Sequence, residues 1–155
     1  MLEQRMNDYR GRIEAALDSA LPTTRTSTQP LLDAMRYSVS NGGKRIRPIL
    51  CLEFCRVSGG DPERALPAAI AIEMIHCYSL IHDDLPCMDD DDLRRGKPAC
   101  HIQFGEATAL LAGDALLTLA FYTLHQSDLP AECSRRLAET LAAEAGANGM
   151  VGGQM

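Results

Sequence analysis

Apolar residues recur along most of this chain at intervals of three and four positions, the spacing that places them on one face of a helix. The first series is Leu2, Met6, Tyr9, Ile13, Leu17 and Leu21. It predicts an amphipathic helix that ends at Pro22, followed by a polar loop over residues 22–29. No segment shows the strict alternation of a half-buried strand, so the pattern predicts an all-α protein.

Proline and glycine divide the rest of the chain into further predicted helices. These helices cover residues 30–41, 48–58, 67–85, 105–126 and 131–145. Asp61 and Pro62 have the residue types of an N-cap and a first helical turn. Residues 146–153 contain four glycines and are expected to form a loose segment. The pattern therefore predicts a helical bundle with a polar site at the helix ends.

The composition limits the expected location and partners. The 155 residues carry a net charge of −6, which gives no general attraction to nucleic acid or to anionic membranes. The longest apolar run, residues 65–72, is far shorter than the roughly twenty residues of a membrane span, and the first residues lack the apolar core of a secretory signal. A cytoplasmic protein is expected. Its six cysteines include no CxxC pair and are expected to be reduced and mostly packed in the core.

Six aspartates stand within ten residues, from Asp83 to Asp92, and two arginines follow almost at once. Carboxylate oxygens are the ligands that Mg²⁺ prefers, and a guanidinium group fits the phosphate oxygens that such a metal also binds. Asp83 and Asp89 are six residues apart, about 240° around a regular helix, so they can share a cavity only if the helix is deformed between them. Pro86 is expected to cause that deformation.

The other four aspartates, Asp84 and residues 90–92, have two interpretations. They either support the metal ligands at the end of the helix, or they lie solvated on a loop surface. His76 stands seven residues before Asp83, which places both on one helix face about 10 Å apart.

A second basic group, Lys44 and Arg47, lies at the start of a predicted helix. Free N–H groups and the helix dipole favour anions at that position, so a phosphate could bind there. An ordinary charged helix start has the same composition.

Three motifs in this order resemble those of the trans-isoprenyl diphosphate synthases, in particular the bacterial farnesyl diphosphate synthases. They are residues 42–48 (GGKRIRP), residues 82–89 (HDDLPCMD) and residues 91–98 (DDLRRGKP). The resemblance extends to Met155 and implies an isoprenoid-synthase-type helical bundle. The chain stops inside a GGQxxD segment, before the family's second aspartate-rich motif. Residues 1–155 are therefore expected to be the N-terminal part of a single polyprenyl synthase domain.

The resemblance also implies a reaction and a set of site residues. The expected enzyme is a Mg²⁺-dependent prenyltransferase that condenses isopentenyl diphosphate with dimethylallyl or geranyl diphosphate to farnesyl diphosphate, by ionisation, condensation and deprotonation. Two or three Mg²⁺ ions, or Mn²⁺, would act in the complete enzyme. By resemblance the metal ligands are Asp83 and Asp89, the catalytic residues are these two with Asp84 and Arg94, and the diphosphate-binding residues are Lys44, Arg47, His76, Arg94 and Arg95.

Tyr78 and Ser79 correspond to positions that limit product length in the family. An aromatic ring at residue 78 resembles a floor for a fifteen-carbon product, whereas its helix angle from Asp83, about 140°, is equally compatible with a core residue. A geranylgeranyl or longer-chain synthase and a noncatalytic regulatory subunit are the alternative functions. The resemblance further implies a homodimer and a required C-terminal half, without which the segment is expected to be inactive.

Overall fold

The computed structural model describes residues 2–23 and 27–155, which form a helical bundle with one short hairpin. The helices are α1 (Leu2–Ala20), α2 (Gln29–Val39), α3 (Ile46–Val57), α4 (Pro62–Asp83), α5 (Cys100–Phe104), α6 (Glu106–His125) and α7 (Ala131–Ala145). Strands β1 (Leu93–Arg94) and β2 (Lys97–Pro98) pair antiparallel between α4 and α5, and a 3₁₀ turn covers Gly152–Gln154. The predicted all-α class is confirmed.

Helix α4 is the central element of the bundle. It packs between α3 and α6 and also contacts α1, α2 and α7. Met74 of α4, Leu116 of α6 and Leu52 of α3 are fully buried where these helices meet. Burial of such side chains is the main favourable term in folding. Because α4 also carries His76 and Asp83, the core fixes the element that holds much of the predicted site.

Two predicted helix starts are wrong. Helix α3 begins at Ile46 rather than at Pro48, and α4 begins at Pro62 rather than near Pro67. The predicted N-cap at Asp61, with Pro62 in the first turn, is confirmed: Asp61 accepts a hydrogen bond of 3.0 Å from the backbone N–H two residues later. This cap starts the helix more than one turn before Pro67, whose ring is accommodated inside the helix with the loss of one backbone donor.

The sequence pattern missed the shortest elements. Helix α5 and the two-residue strands are too short to show a hydrophobic period. The expectation of a loose segment over residues 146–153 is wrong, because the backbone folds there into hydrogen-bonded turns. Met150 N–H donates to the Glu144 carbonyl at 2.8 Å, and Gly153 N–H donates to the Gly149 carbonyl at 3.0 Å. The predicted loop over residues 22–29 lies partly outside the described residues.

Helices α4 and α6 have the length and apolar composition of membrane-spanning helices. Core helices of globular proteins meet the same criteria, and these two pack against each other, so this match is weak evidence for a span. All six cysteines are free, two of them buried and two exposed. Burial raises the pKa of the Cys77 thiol to about 12, which suits a packing residue.

Candidate functional site

The acidic motif begins where α4 ends. Asp83 is the last residue of the helix, and the chain then turns back on itself, with Asp89 N–H donating to the Asp83 carbonyl at 2.8 Å. The predicted deformation of a continuing helix at Pro86 is therefore wrong: the helix has already ended, and Pro86 lies in the turn. The outcome for Asp83 and Asp89 is nevertheless the expected one, because the turn brings the two residues together.

The charge of Asp83 is poorly compensated. Its pKa is raised by burial and, next, by the negative charge of Asp89. The positive charge of Arg94 partly offsets this rise in the pKa, and so does the side-chain amide of Gln154, which donates a hydrogen bond to Oδ1 of Asp83. A cation between the two carboxylates would relieve their repulsion. The described parts of the chain contain no cluster of three or more potential metal-ligating side chains, so a metal here would rely on these two carboxylates, water and substrate oxygens.

Asp84 is not a solvated surface residue. It is only 2% exposed and forms a forked ion pair with Arg94, whose Nε lies 3.0 Å from Oδ1 and 3.2 Å from Oδ2. Arg94 Nη2 also bonds to Oδ1 of Asp84 and lies 3.6 Å from Asp91. The hydrogen bond to Asp84 raises the pKa of Arg94. Of the two interpretations of the remaining aspartates, support within the site therefore holds for Asp84, and the exposed loop surface holds for residues 90–92.

A tight hairpin presents the two arginines. Arg95 and Gly96 form its turn with φ of 55° and 78°, the combination that a type I′ turn requires. Tyr37 Oη donates to the Pro98 carbonyl at 2.9 Å, and Asn41 Nδ2 donates to the Arg94 carbonyl at 3.3 Å. These two bonds from α2 and from the residues after it hold the hairpin beside the end of α4.

Arg95 connects the hairpin to the glycine loop before α3. Its Nη1 donates to the Gly42 carbonyl, and its guanidinium group lies where a Cβ on Gly43 would be. Any side chain at position 43 would therefore displace Arg95. This contact, and the φ of 126° at Gly43, explain why glycine is needed there.

The loop before α3 divides its basic residues between core and surface. Arg45 adopts a left-handed conformation with φ of 51° and is 3% exposed. Its guanidinium donates to Glu73 at 2.7 Å, to Glu14 at 3.1 Å and to the Val39 carbonyl at 2.7 Å. Lys44 and Arg47, its neighbours on either side in the motif, are exposed. Within the described residues the N-cap of α3, Arg45, makes no side-chain capping bond, so the first N–H groups of the helix lack that acceptor.

His76 lies within electrostatic reach of this basic group. Its pKa is lowered by burial first, and then by the positive charges of Arg47 and Arg95. The structure thus brings together three residues that the sequence separates by up to 48 positions, from Arg47 to Arg95. Arg95 follows Arg94 in the chain, and the charge of Arg94 acts on Asp83, so this basic group adjoins the acidic end of α4.

Tyr78 lies on the α6 side of α4. It is 6% exposed, and its ring meets the His82 ring edge to face, with centroids 5.7 Å apart and an interplanar angle of 76°. Its pKa is raised by burial and by the charge of Asp83, so it lies close to the acidic site. The neighbouring Ser79 is half-buried, and its hydroxyl donates to the His76 carbonyl at 2.9 Å.

An apolar groove of about 320 Å³ lies between α4, α6 and α7. Ala68, Ile72, Leu124, Leu137 and Leu141 contribute its apolar lining. Ile72 is eleven residues before Asp83, which corresponds to the same helix face at a distance of roughly 16 Å along the axis. The groove therefore opens on the face of α4 that ends at the acidic site.

The polyprenyl synthetase family model matches residues 28–155, which include all of these site residues. The chain belongs to this family. Among its relatives is a farnesyl diphosphate synthase of Geobacillus stearothermophilus, 52% identical over 156 residues that cover 99% of this chain and 52% of that protein. The heterodimeric geranylgeranyl pyrophosphate synthase large subunit 1 of Arabidopsis thaliana is 53% identical over 150 residues, covering 92% of this chain and 39% of that protein.

Solved structures of polyprenyl synthetases show the same fold. The apo crystal structure of an FPP/GFPP synthase from Zymomonas mobilis superposes with a TM-score of 0.94 at 44% identity, over 99% of this chain and 56% of that one. The predicted family and its isoprenoid-synthase fold are thereby confirmed. The chain spans about half the length of the curated relatives it matches.

Sequence reasoning gave no role to three residues of the candidate site. Arg45 belongs to a run of basic residues and is the one that faces inward. Its left-handed backbone conformation causes this orientation and is not visible in the sequence. Gln154 reaches Asp83 from 71 positions away. His82 adjoins the acidic motif but had no recognisable partner before the position of α6 was known.

Proposed function

We propose that the chain supplies the first half of a trans-prenyl diphosphate synthase that makes farnesyl diphosphate from isopentenyl diphosphate and dimethylallyl or geranyl diphosphate. The observation that carries the proposal is at the end of α4, where Asp83 and Asp89 lie close together and Arg94, held by Asp84, acts on the charge of Asp83. A metal-bound diphosphate needs both charges at once. The names of the relatives support the reaction class.

Asp83 and Asp89 would hold Mg²⁺, or Mn²⁺, since two carboxylates are what Mg²⁺ usually takes from a protein. Bound metal would supply Lewis-acid stabilisation of the departing diphosphate. Asp84 occupies the Nε and Nη2 edge of Arg94, so Nη1 remains to donate to an allylic diphosphate oxygen. The buried carboxylate thus orients the guanidinium before substrate arrives, which lowers the entropy lost on binding.

Lys44, Arg47, His76 and Arg95 would bind the diphosphate of isopentenyl diphosphate. Three features support this assignment: exposed cations, a helix N-terminus whose N-cap residue makes no side-chain capping bond, and a histidine close enough to Arg47 and Arg95 for their charges to act on it. The N–H groups at the start of α3 add positive potential for the same anion. Charge held in place before the reaction stabilises the leaving group without reorganisation.

Product length has two candidate determinants in this chain. Tyr78 and Ser79 stand near the acidic site, as expected for a pocket floor. The apolar groove at Ile72, however, lies about 120° from Tyr78 around α4, so this ring does not lie across it. A tail that extends past Tyr78 into this groove would instead correspond to the alternative, a geranylgeranyl or longer-chain synthase.

We also propose that the remaining half of the synthase, with its second aspartate-rich motif, completes the metal site, either covalently or as a separate polypeptide. The chain's coverage of about half of its relatives supports this. A homodimer of the complete enzyme stays a prediction.

The test is a prenyl transfer assay on the chain joined to the second half of the Geobacillus stearothermophilus enzyme. Isopentenyl and geranyl diphosphates are supplied with MgCl₂, and products are separated by chromatography after dephosphorylation. Asp83→Asn serves as the loss-of-function variant and Asp91→Asn as its matched control on the exposed loop. A folded fusion that makes no prenyl diphosphate would refute the proposal. That outcome would leave the noncatalytic regulatory subunit as the alternative, whereas equal activity of Asp83→Asn and the unsubstituted fusion would contradict the role of Asp83 as a metal ligand.

A further inference from the structure

The His82 ring packs tightly against helix α6, a contact that we call the wedge. Its Nε2 lies 3.0 Å from the Leu110 carbonyl, and a Cβ built on Gly113 would overlap the ring. Glycine in the interior of a helix is unfavourable compared with alanine, and Gly113 stands in the middle of α6. The position of the His82 ring gives a physical reason for glycine at this point.

The same ring also packs on Tyr78. The two side chains are one helical turn apart on α4 and meet edge to face, a favoured arrangement for aromatic rings. His82 is therefore in contact with α6 on one side and with Tyr78 on the other, directly before Asp83 in the chain. Removing the ring would give the Tyr78 side chain room to change rotamer.

We propose that His82 is a positioning residue for product length: its ring, held by the Leu110 carbonyl and the space at Gly113, fixes the Tyr78 ring. The proposal rests on the proposed function in that Tyr78 must limit elongation. His82 itself touches neither substrate nor metal in this proposal. It acts by restricting Tyr78 to one orientation.

The wedge is tested first on the stability of the 155-residue chain, without substrates. Gly113→Ala should lower the melting temperature when His82 is present, because the new Cβ overlaps the ring. In the His82→Ala background the same substitution should raise it, because alanine is the better helix former. Gly11→Ala is the matched control: Gly11 lies in α1, and among the described residues no atom outside its own stretch of helix comes within 4 Å of an added Cβ, so it should raise the melting temperature in both backgrounds. A Gly113→Ala effect of the same sign in both backgrounds would overturn the wedge.

Product length is tested in the active fusion described above. His82→Ala and Gly113→Ala should each raise the ratio of the next longer product to the main product by about twofold to tenfold, the range expected for losing one edge-to-face aromatic contact. The double variant should equal His82→Ala alone, since the two substitutions remove one contact. His82→Gln keeps a donor for the Leu110 carbonyl but no ring, so it should behave like His82→Ala.

The outcomes separate this proposal from the function on which it rests. If the unsubstituted fusion transfers no prenyl group, the proposed function fails, while the melting temperatures still test the wedge. If the unsubstituted fusion is active and His82→Ala or His82→Gln keeps its product ratio, the positioning role is wrong. Additive product shifts in the double variant would likewise contradict it.

Discussion

Removal of the Arg45 side chain should strongly destabilise the protein. Arg45 and Glu73 are 3% and 2% exposed, and Arg45 also donates to the Val39 carbonyl and to Glu14. Burial would lower the pKa of Arg45, but its hydrogen bond to Glu73 and the charge of that residue raise it overall. In the variant Arg45→Met, Glu73 becomes a buried charge without its partner. Breaking a buried ion pair in this way costs about 3–5 kcal/mol.

For a chain of this size each kcal/mol shifts the melting temperature by roughly 2–4 °C, so Arg45→Met should lower it by about 6–20 °C. Urea unfolding followed by circular dichroism at 222 nm gives the free energy directly. The double variant Arg45→Met with Glu73→Leu replaces the pair by apolar groups and should recover most of the loss. The melting temperature of Arg45→Lys should lie between those of Arg45→Met and the unsubstituted chain, because an ammonium group cannot make the three directed bonds of the guanidinium.

Two results would refute this reasoning about Arg45. One is a decrease of less than about 1 kcal/mol in the free energy of unfolding of Arg45→Met, which would mean that Glu73 contacts solvent or another partner. The other is a double variant as unstable as the sum of its single variants, which would mean that the two residues act independently.

Four further predictions concern the proposed site and the chain that carries it. In the active fusion, kcat should fall about 100-fold to 1000-fold in Asp83→Ala or Asp89→Ala, the usual scale for removing a charge-stabilising group, and far less in Asp91→Ala. Equal losses at all three positions would contradict the ligand assignment. Asp83→Asn should raise the melting temperature of the metal-free chain at pH 7. The pKa of Asp83 is raised in the folded state, so the protein loses stability as pH rises from the ordinary carboxyl pKa through the raised one, and asparagine avoids this loss. An unchanged or lower melting temperature would contradict this prediction. Tyr78→Ala should lengthen the product with turnover largely kept, and an unchanged product would make Tyr78 an ordinary core residue. The 155-residue chain alone should be inactive, which an assay of a polypeptide of verified mass would test.

Much of this fold is predictable from the sequence because long helices repeat their apolar positions many times. α1, α6 and α7 follow this rule and end within one or two residues of the predicted bounds. The start of α4 was misplaced because a proline inside a helix looks the same in sequence as one at its first turn. The hairpin and α5 are too short for any period to appear, and they depend on bonds from Tyr37 and Asn41 in a distant part of the chain.

The candidate site shows a similar limit. Residue type and spacing identified the acidic and basic motifs, yet they could not tell which of six aspartates is buried. The forked pair between Asp84 and Arg94 forms only because the hairpin folds back over the end of α4. In the same way, the sequence shows three basic residues before and within α3, and only the left-handed backbone at Arg45 turns one of them inward.

The bond between Gln154 and Asp83 has a consequence for the order of folding. These residues are 71 positions apart, and closing a loop of that length is entropically costly, so the contact should form after the local helices and the packing of α4 on α6. At about 5–20 residues per second of synthesis, roughly 4–14 s separate the appearance of Asp83 from that of Gln154. During that interval the acidic turn lacks the amide donor that faces it in the folded protein. A nascent chain should therefore acquire its helical core first and its ordered acidic site last.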